Sequence, residues 1–186
     1  MPKLYKCAFT GKILGKEEIF SFAYSDNYGV VFDPSFKIKK NTVYLSSEFN
    51  DVQIWLQESE FRKFFPLKVD IKTIYLQMHR HFYDKMLTFI ALAKKSGKLQ
   101  LGRKQVEEDL KFSDSSALII QATDSSSAER FYETQNIKII DIFDSHELSK
   151  LVGRENCRYL NVKGDFIKVI LESYEYYKLL KKLDDR

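Results

Sequence analysis

Two cysteines, Cys7 and Cys157, are all that 186 residues contain. That is too few for a disulfide framework or a cysteine-ligated zinc, so each is expected as a small, reduced, partly buried side chain. Histidine is equally scarce, at His79, His81 and His146. A helix through His79-x-His81 makes those two side chains diverge, so no metal site is expected. The seven glycines are scattered, which leaves neither a P-loop nor a dinucleotide fingerprint. No nucleophile elbow or paired base surrounds either cysteine or the serines, and Ser113 to Ser116 and Ser125 to Ser127 read as loop and cap residues. Neither an enzyme nor a cofactor is indicated. No window approaches the ~20 apolar residues of a membrane span. Lys3 and Lys6 are not followed by the apolar stretch of a secretory leader. A soluble, cytoplasmic chain without a membrane partner is the expectation.

What is present suffices for a packed fold. Apolar residues make up 44% of the chain, aromatics 15% and charged residues 30%, too apolar for disorder and long enough for two small domains. The first half reads as short strands and turns. Glu17 to Tyr24 and Val30 to Phe32 flank the turn residues Asp26-Asn27-Tyr28-Gly29, which predicts a hairpin. Thr42 to Leu45 is a further strand, Ser46-Ser47-Glu48 a helix start, and Val52 to Phe65 a helix closed by Pro66. Val69 to Phe82 is expected to be a connecting helix.

From Asp84 helices and strands alternate. An apolar helix through Met86 to Ala93 ends at Gly97, and Lys98 to Leu101 is a strand. Arg103 to Lys111 is a helix, and Ala117 to Ala122 a strand buried on both faces. Ser125 to Gln135 reads as helix and Ile137 to Phe143 as strand. Asp144-x-x-Glu147 opens a helix ending near Gly153, Cys157 to Val162 is the last strand, and Asp165 to Leu183 the last helix. The fold class expected is an α+β N-terminal domain, residues 1–80, followed by an α/β three-layer (α/β/α) sandwich, residues 81–186.

The net charge of +4 is only mildly basic, but it is unevenly placed. Met86 to Val106 holds five cations (Lys94, Lys95, Lys98, Arg103, Lys104) and no carboxylate. Glu107-Glu108-Asp109 then follows, read as a solvated helix face because consecutive side chains diverge. At Gly102 a strand gives way to a helix with Lys104 and Gln105 in its first turn. Unpaired N–H groups at a helix start favour an anion, and glycine permits close approach of a phosphate backbone. A glutamine amide can donate to and accept from a base edge. Spacing alone leaves open a solvated helix start that carries basic residues by chance.

The motif Ala91-x-Ala93-Lys94-Lys95-x-Gly97-Lys98-x-x-x-Gly102-x-Lys104-Gln105 is followed by ALIIQATD ending at Asp124 and by Glu147-Leu148-x-x-x-x-Gly153. In this order Asp84 to about Gly164 resembles the kink-turn-binding ribosomal-protein superfamily of the L-seven-Ae/L-thirty-e type, whose bacterial members carry Gly-x-Lys-Gln. The resemblance implies a grip on sharply bent internal-loop RNA. Residues at the Lys104 and Gln105 positions would read tandem G·A pairs, and the loop Val152 to Asn156 would flank the bulged nucleotides. The pattern departs at Phe112-Ser113, where family members often have Arg-Gly or Lys-Gly. The first ~80 residues are similar to the YlxR family of small bacterial nucleic-acid-binding proteins, through Cys7-x-x-Thr10-Gly11-Lys12, Lys16-Glu17-Glu18-Ile19, Asp33-Pro34 and Tyr44-Leu45. That family's Gly-Arg-Gly is replaced here by Lys40-Asn41-Thr42.

Together these observations predict a non-enzymatic protein that binds structured RNA. The expected contacts are Gly102, Lys104 and Gln105, with Arg103, Lys98, Lys94 and Lys95 on neighbouring phosphates. Lys37, Lys39 and Lys40 would supply phosphate contacts from the N-terminal half. Transcription or ribosomal proteins are expected as further partners, and the chain as a monomer. The loss of Gly-Arg-Gly keeps open a protein–protein adaptor with little RNA binding of its own.

Overall fold

The computed structural model describes residues 3–112 and 117–185. They form two compact units. The first holds the described residues up to His81 together with those from Tyr176 onward, and the second spans Phe82–Glu175.

In the first unit β1 (Leu4–Lys6) and β2 (Ile13–Gly15) pair antiparallel as a short ribbon. β3 (Ile19–Ser25) is the centre of a three-stranded antiparallel sheet, between β4 (Gly29–Phe32) and β5 (Thr42–Ser46). The hairpin predicted at Asp26–Gly29 closes with Ser25 opposite Gly29. β3 packs aromatic residues against α1 (Phe49–Trp55) and α2 (Glu58–Phe61). The Phe22 ring lies 5.7 Å from Trp55, 5.1 Å from Phe61 and 5.4 Å from Phe32. The single helix expected over Val52 to Phe65 is thus broken, with Gln57 extended and a 3₁₀ turn at Arg62–Phe64. At about 100° per residue a continuous helix would set Trp55 and Phe61 some 120° apart. Both are fully buried, and the break turns both into one core.

Trp55 also donates from Nε1 to the Ser46 carbonyl at 2.9 Å. Trp55→Ala therefore leaves a cavity and an unpaired carbonyl, and is expected to destabilise the protein by about 3–5 kcal/mol. Denaturant unfolding followed by circular dichroism checks this, because the variant has no other tryptophan to report it.

A continuous 25-residue helix, α3 (Ile71–Lys95), takes the place of the two separate helices expected there. No glycine or proline interrupts the run, and Asp70 caps it by accepting from the Lys72 N–H (3.2 Å) and the Thr73 hydroxyl (2.8 Å). Gly97 ends it at φ 65°, with the Lys98 N–H donating back to the Ala93 carbonyl at 2.8 Å.

The second unit is built on a four-stranded mixed sheet. Its strands are β6 (Leu99–Leu101), β7 (Ala117–Gln121), β8 (Ile137–Ile140) and β9 (Tyr159–Val162), in the order β6-β9-β7-β8. β7 and β8 are parallel and the other pairs antiparallel. Every residue of β7 is buried. Successive strand residues point to opposite faces, so both faces of β7 are covered, as its unbroken apolar run predicts. On one face α4 (Arg103–Phe112) sets Val106 and Leu110 against Ile119, Ile139 and Tyr159.

The helix expected over Ser125 to Gln135 is absent. A single 3₁₀ turn, Ser127–Glu129, is followed by chain that is neither helix nor strand, extended at Arg130. The backbone there bonds outward: the Phe131 N–H donates to Gln121 Oε1 at 2.9 Å and the Thr134 N–H to the Ile137 carbonyl at 3.1 Å. Extension lets Phe131 reach Tyr159, ring centroids 5.5 Å apart.

α5 (Ser145–Val152) opens on the predicted capping box, Asp144 accepting from the Glu147 N–H at 2.7 Å. α6 (Phe166–Asp184) is the last helix. Its end is part of the first unit, where the Tyr176 ring lies 5.7 Å from Phe20 and 5.6 Å from Phe49. The Tyr176 hydroxyl donates to the Ser47 carbonyl.

Candidate nucleic-acid interface

β6 delivers the chain to Gly102, whose N–H donates to the Tyr159 carbonyl at 2.9 Å. The backbone there has φ 91°, a conformation that favours glycine. α4 starts at the next residue, and the Val106 N–H closes its first turn on the Gly102 carbonyl at 3.1 Å. The N–H groups of the first turn have no partner within the helix, so the start carries partial positive charge.

Three segments meet at this point. Gln105 folds back over Gly102, so that a Cβ on Gly102 would lie 3.1 Å from Gln105 Oε1 and 4.0 Å from Arg154 Nη1. Arg154 donates from the same nitrogen to the Leu101 carbonyl at 3.3 Å. Lys94, on the last turn of α3, donates to the Val152 carbonyl at the end of α5. Its Nζ lies 3.5 Å from where a Cβ on Gly153 would stand. Gly153 caps α5 in the left-handed conformation, φ 60°, and turns the chain so that Arg154 faces β6. Lys94, Gly102, Gln105 and Arg154 therefore share one patch, although 60 residues separate the first from the last. Lys104 and Gln105 are both exposed in the first turn of α4.

The remaining cations divide. Lys95 is exposed on the last turn of α3. Lys98 is exposed too, but its carbonyl accepts from the Lys163 N–H, which places it at the far end of β6 from Gly102. Arg103 is held by its own neighbours. It pairs with Glu107 at 2.6 Å, donates to the Glu129 carbonyl, and lies over the Phe131 ring at 5.4 Å. The hydrogen bond that Arg103 donates to Glu107 keeps the guanidinium pKa above its ordinary value. Lys37, Lys39 and Lys40 are exposed in the irregular segment after Phe36, in the first unit.

One sequence expectation needs correction. Glu107-Glu108-Asp109 is not a uniformly solvated face, because Asp109 binds Lys163 and the Asn161 amide and ties α4 to β9. Arg154 is a cation of the patch that the spacing argument did not single out, though it directly follows Gly153 of the quoted motif. The departure at Phe112-Ser113 and the serines Ser113 to Ser116 lie outside the described side chains.

His79, His81 and both cysteines are packed groups, whereas His146 is exposed. His79 lies against the Tyr177 ring at 4.1 Å and His81 against the Phe32 ring at 5.3 Å. Burial, then Lys181, push the His79 pKa down. Burial pushes the Cys157 thiol up, which disfavours the reactive thiolate. Among the described residues no group of three or more His, Cys, Asp or Glu side chains is arranged to hold a metal ion. No described helix is long and apolar enough to cross a membrane.

No protein-family model matches the chain, and no curated protein is significantly similar to it. Among solved structures, a protein of unknown function from Bacillus halodurans C is 17% identical, covering 55% of this chain and 98% of its own, with a TM-score of 0.35. That likeness is too slight to carry the fold or function of either chain to the other.

Proposed function

We propose that the chain is a non-enzymatic RNA-binding protein that grips bent, kink-turn-like RNA at the start of α4. The observation that carries this reading is the meeting of Lys94, Gly102, Gln105 and Arg154 around one helix start. Once the Gln105 side chain swings off Gly102, a phosphate can approach the N–H groups of α4 there, because the glycine carries no side chain of its own. Lys94 and Arg154 flank that position as cations, and Lys104 adds a third. The Gln105 amide, rotated off Gly102, offers paired donor and acceptor to a base edge. Arg103 then acts through position, fixing the α4 start against Phe131 and Tyr159. The resemblance of residues 84–164 to kink-turn-binding ribosomal proteins supports the same reading and a three-layer α/β/α arrangement for this half. Lys37, Lys39 and Lys40 are proposed as phosphate contacts of an α+β N-terminal domain. Transcription or ribosomal proteins are proposed as further partners of a cytoplasmic monomer.

Binding of this kind releases counterions. Titration of a bent internal-loop RNA at several salt concentrations is expected to give a falling affinity, with a slope corresponding to roughly three to six phosphates. An affinity that stays constant from low to high salt contradicts phosphate contact and favours the adaptor.

A further inference from the structure

Beyond the phosphate-binding patch, we propose that Tyr132 is a stacking platform for an unpaired nucleobase of the same RNA, a role that rests on the RNA-binding reading above. Tyr132 is 73% exposed, and an isolated exposed aromatic would by itself be unremarkable. Its setting is what distinguishes it. The residues on both sides are fastened inward: the Phe131 N–H donates to Gln121 Oε1 at 2.9 Å, and Glu133 Oε1 accepts from the Ile139 N–H at 3.2 Å. The Phe131 ring is packed on Tyr159. Tyr132, between these two, is turned to solvent on a segment held from both sides. A ring with two torsions on such a support loses little entropy when a base stacks on it.

The segment that carries Tyr132 touches the first residue of α4 through Phe131 and Glu129. Arg103, the residue before Lys104, lies over Phe131 and donates to the carbonyl of Glu129. Arg158 pairs with Glu129 of the same segment at 3.7 Å, a long, exposed pair that contributes little and leaves the guanidinium open to a phosphate, whereas Arg130 is held by the Thr123 carbonyl at 2.8 Å besides its pair with Asp141 at 3.6 Å. Aromatic faces interleaved with arginines suit single-stranded nucleic acid, because every base has a π-face while the cations follow the backbone. The ligand assigned to Tyr132 is therefore an unpaired base adjoining the bent segment, without sequence preference.

The test uses the full chain and an internal-loop RNA carrying 2-aminopurine at each unpaired position in turn. Wild type is expected to quench the fluorophore at one position on binding, and Tyr132→Phe to do the same. Tyr132→Ala should lose the quenching and weaken binding roughly five- to a hundred-fold, with the salt slope unchanged. Deleting that nucleotide from the RNA should cost wild type a similar factor and cost Tyr132→Ala nothing more. Wild-type affinity and quenching in Tyr132→Ala would overturn the stacking role and leave the ring to a protein partner. A wild-type chain that binds no RNA overturns the underlying reading and the stacking role with it, a result distinct from the first.

Discussion

Replacing Lys104 and Gln105 together by Ala is expected to abolish the preference for bent over straight RNA while leaving the fold intact. Both side chains are exposed in the first turn of α4. The packing face of that helix is formed by Val106 and Leu110 against Ile119 and Tyr159, and neither substitution touches it, so the stability change should stay within about 0.5 kcal/mol. Contacts to base edges are worth about 1–3 kcal/mol each, which makes the loss at least ten- to a hundred-fold for the bent RNA. Lys94→Ala should behave differently. Its ammonium group is a point charge beside the Gly153 turn, so its removal weakens binding to bent and straight RNA alike. Competition between a kink-turn RNA and a duplex of equal length separates the two outcomes. A double variant that keeps its discrimination would move the adaptor ahead.

Gly102→Val should damage both the fold and RNA binding. The backbone there has φ 91°, where a β-branched residue is strained whatever space surrounds it, at a cost of about 1–2 kcal/mol. The new Cβ would stand 3.1 Å from Gln105 Oε1. Gln105 can swing away, so the clash itself is relieved, but the methyl groups then occupy the place proposed for the phosphate. A loss of more than ten-fold in RNA affinity is expected, larger than the stability change alone produces in a protein that remains folded. Thermal unfolding and RNA titration of the same sample measure both. Wild-type affinity in a folded Gly102→Val protein would remove the phosphate from this helix start.

Much of the second unit was legible because its rules are local. An unbroken apolar run gave β7, the pairing of Asp144 with Glu147 gave the start of α5, and Gly97 and Gly153 gave two helix ends. The misreadings lie where distant contacts decide. Ser125 to Gln135 holds enough helix-tolerant residues to read as a helix, yet Phe131 gains more by extending to Tyr159 and Gln121. Val52 to Phe65 breaks because Trp55 and Phe61 face one core. The grouping of Tyr176 with Phe20 and Phe49 depends on residues more than 100 positions away, which no periodicity within α6 encodes.

The patch shows the same division. Gly102, Lys104 and Gln105 can be grouped from the sequence because they are neighbours in it. Arg154 lies in the loop Val152 to Asn156 that the resemblance sets beside the RNA, but its approach to Leu101 depends on the turn at Gly153 and is not legible from spacing. The partners of Arg103 are hidden for the opposite reason. Its position in the basic run hid the Glu107 carboxylate one helical turn ahead, which holds it.

The central claim is that the start of α4 recognises bent RNA, and one titration bears on it most directly. The full wild-type chain is titrated at fixed salt against a kink-turn RNA and a straight duplex of the same length and base composition. The account predicts tighter binding to the kink-turn by a factor of roughly ten to a hundred, as expected for one or two base-edge contacts. Equal affinity for the two RNAs, or none for either, would contradict it.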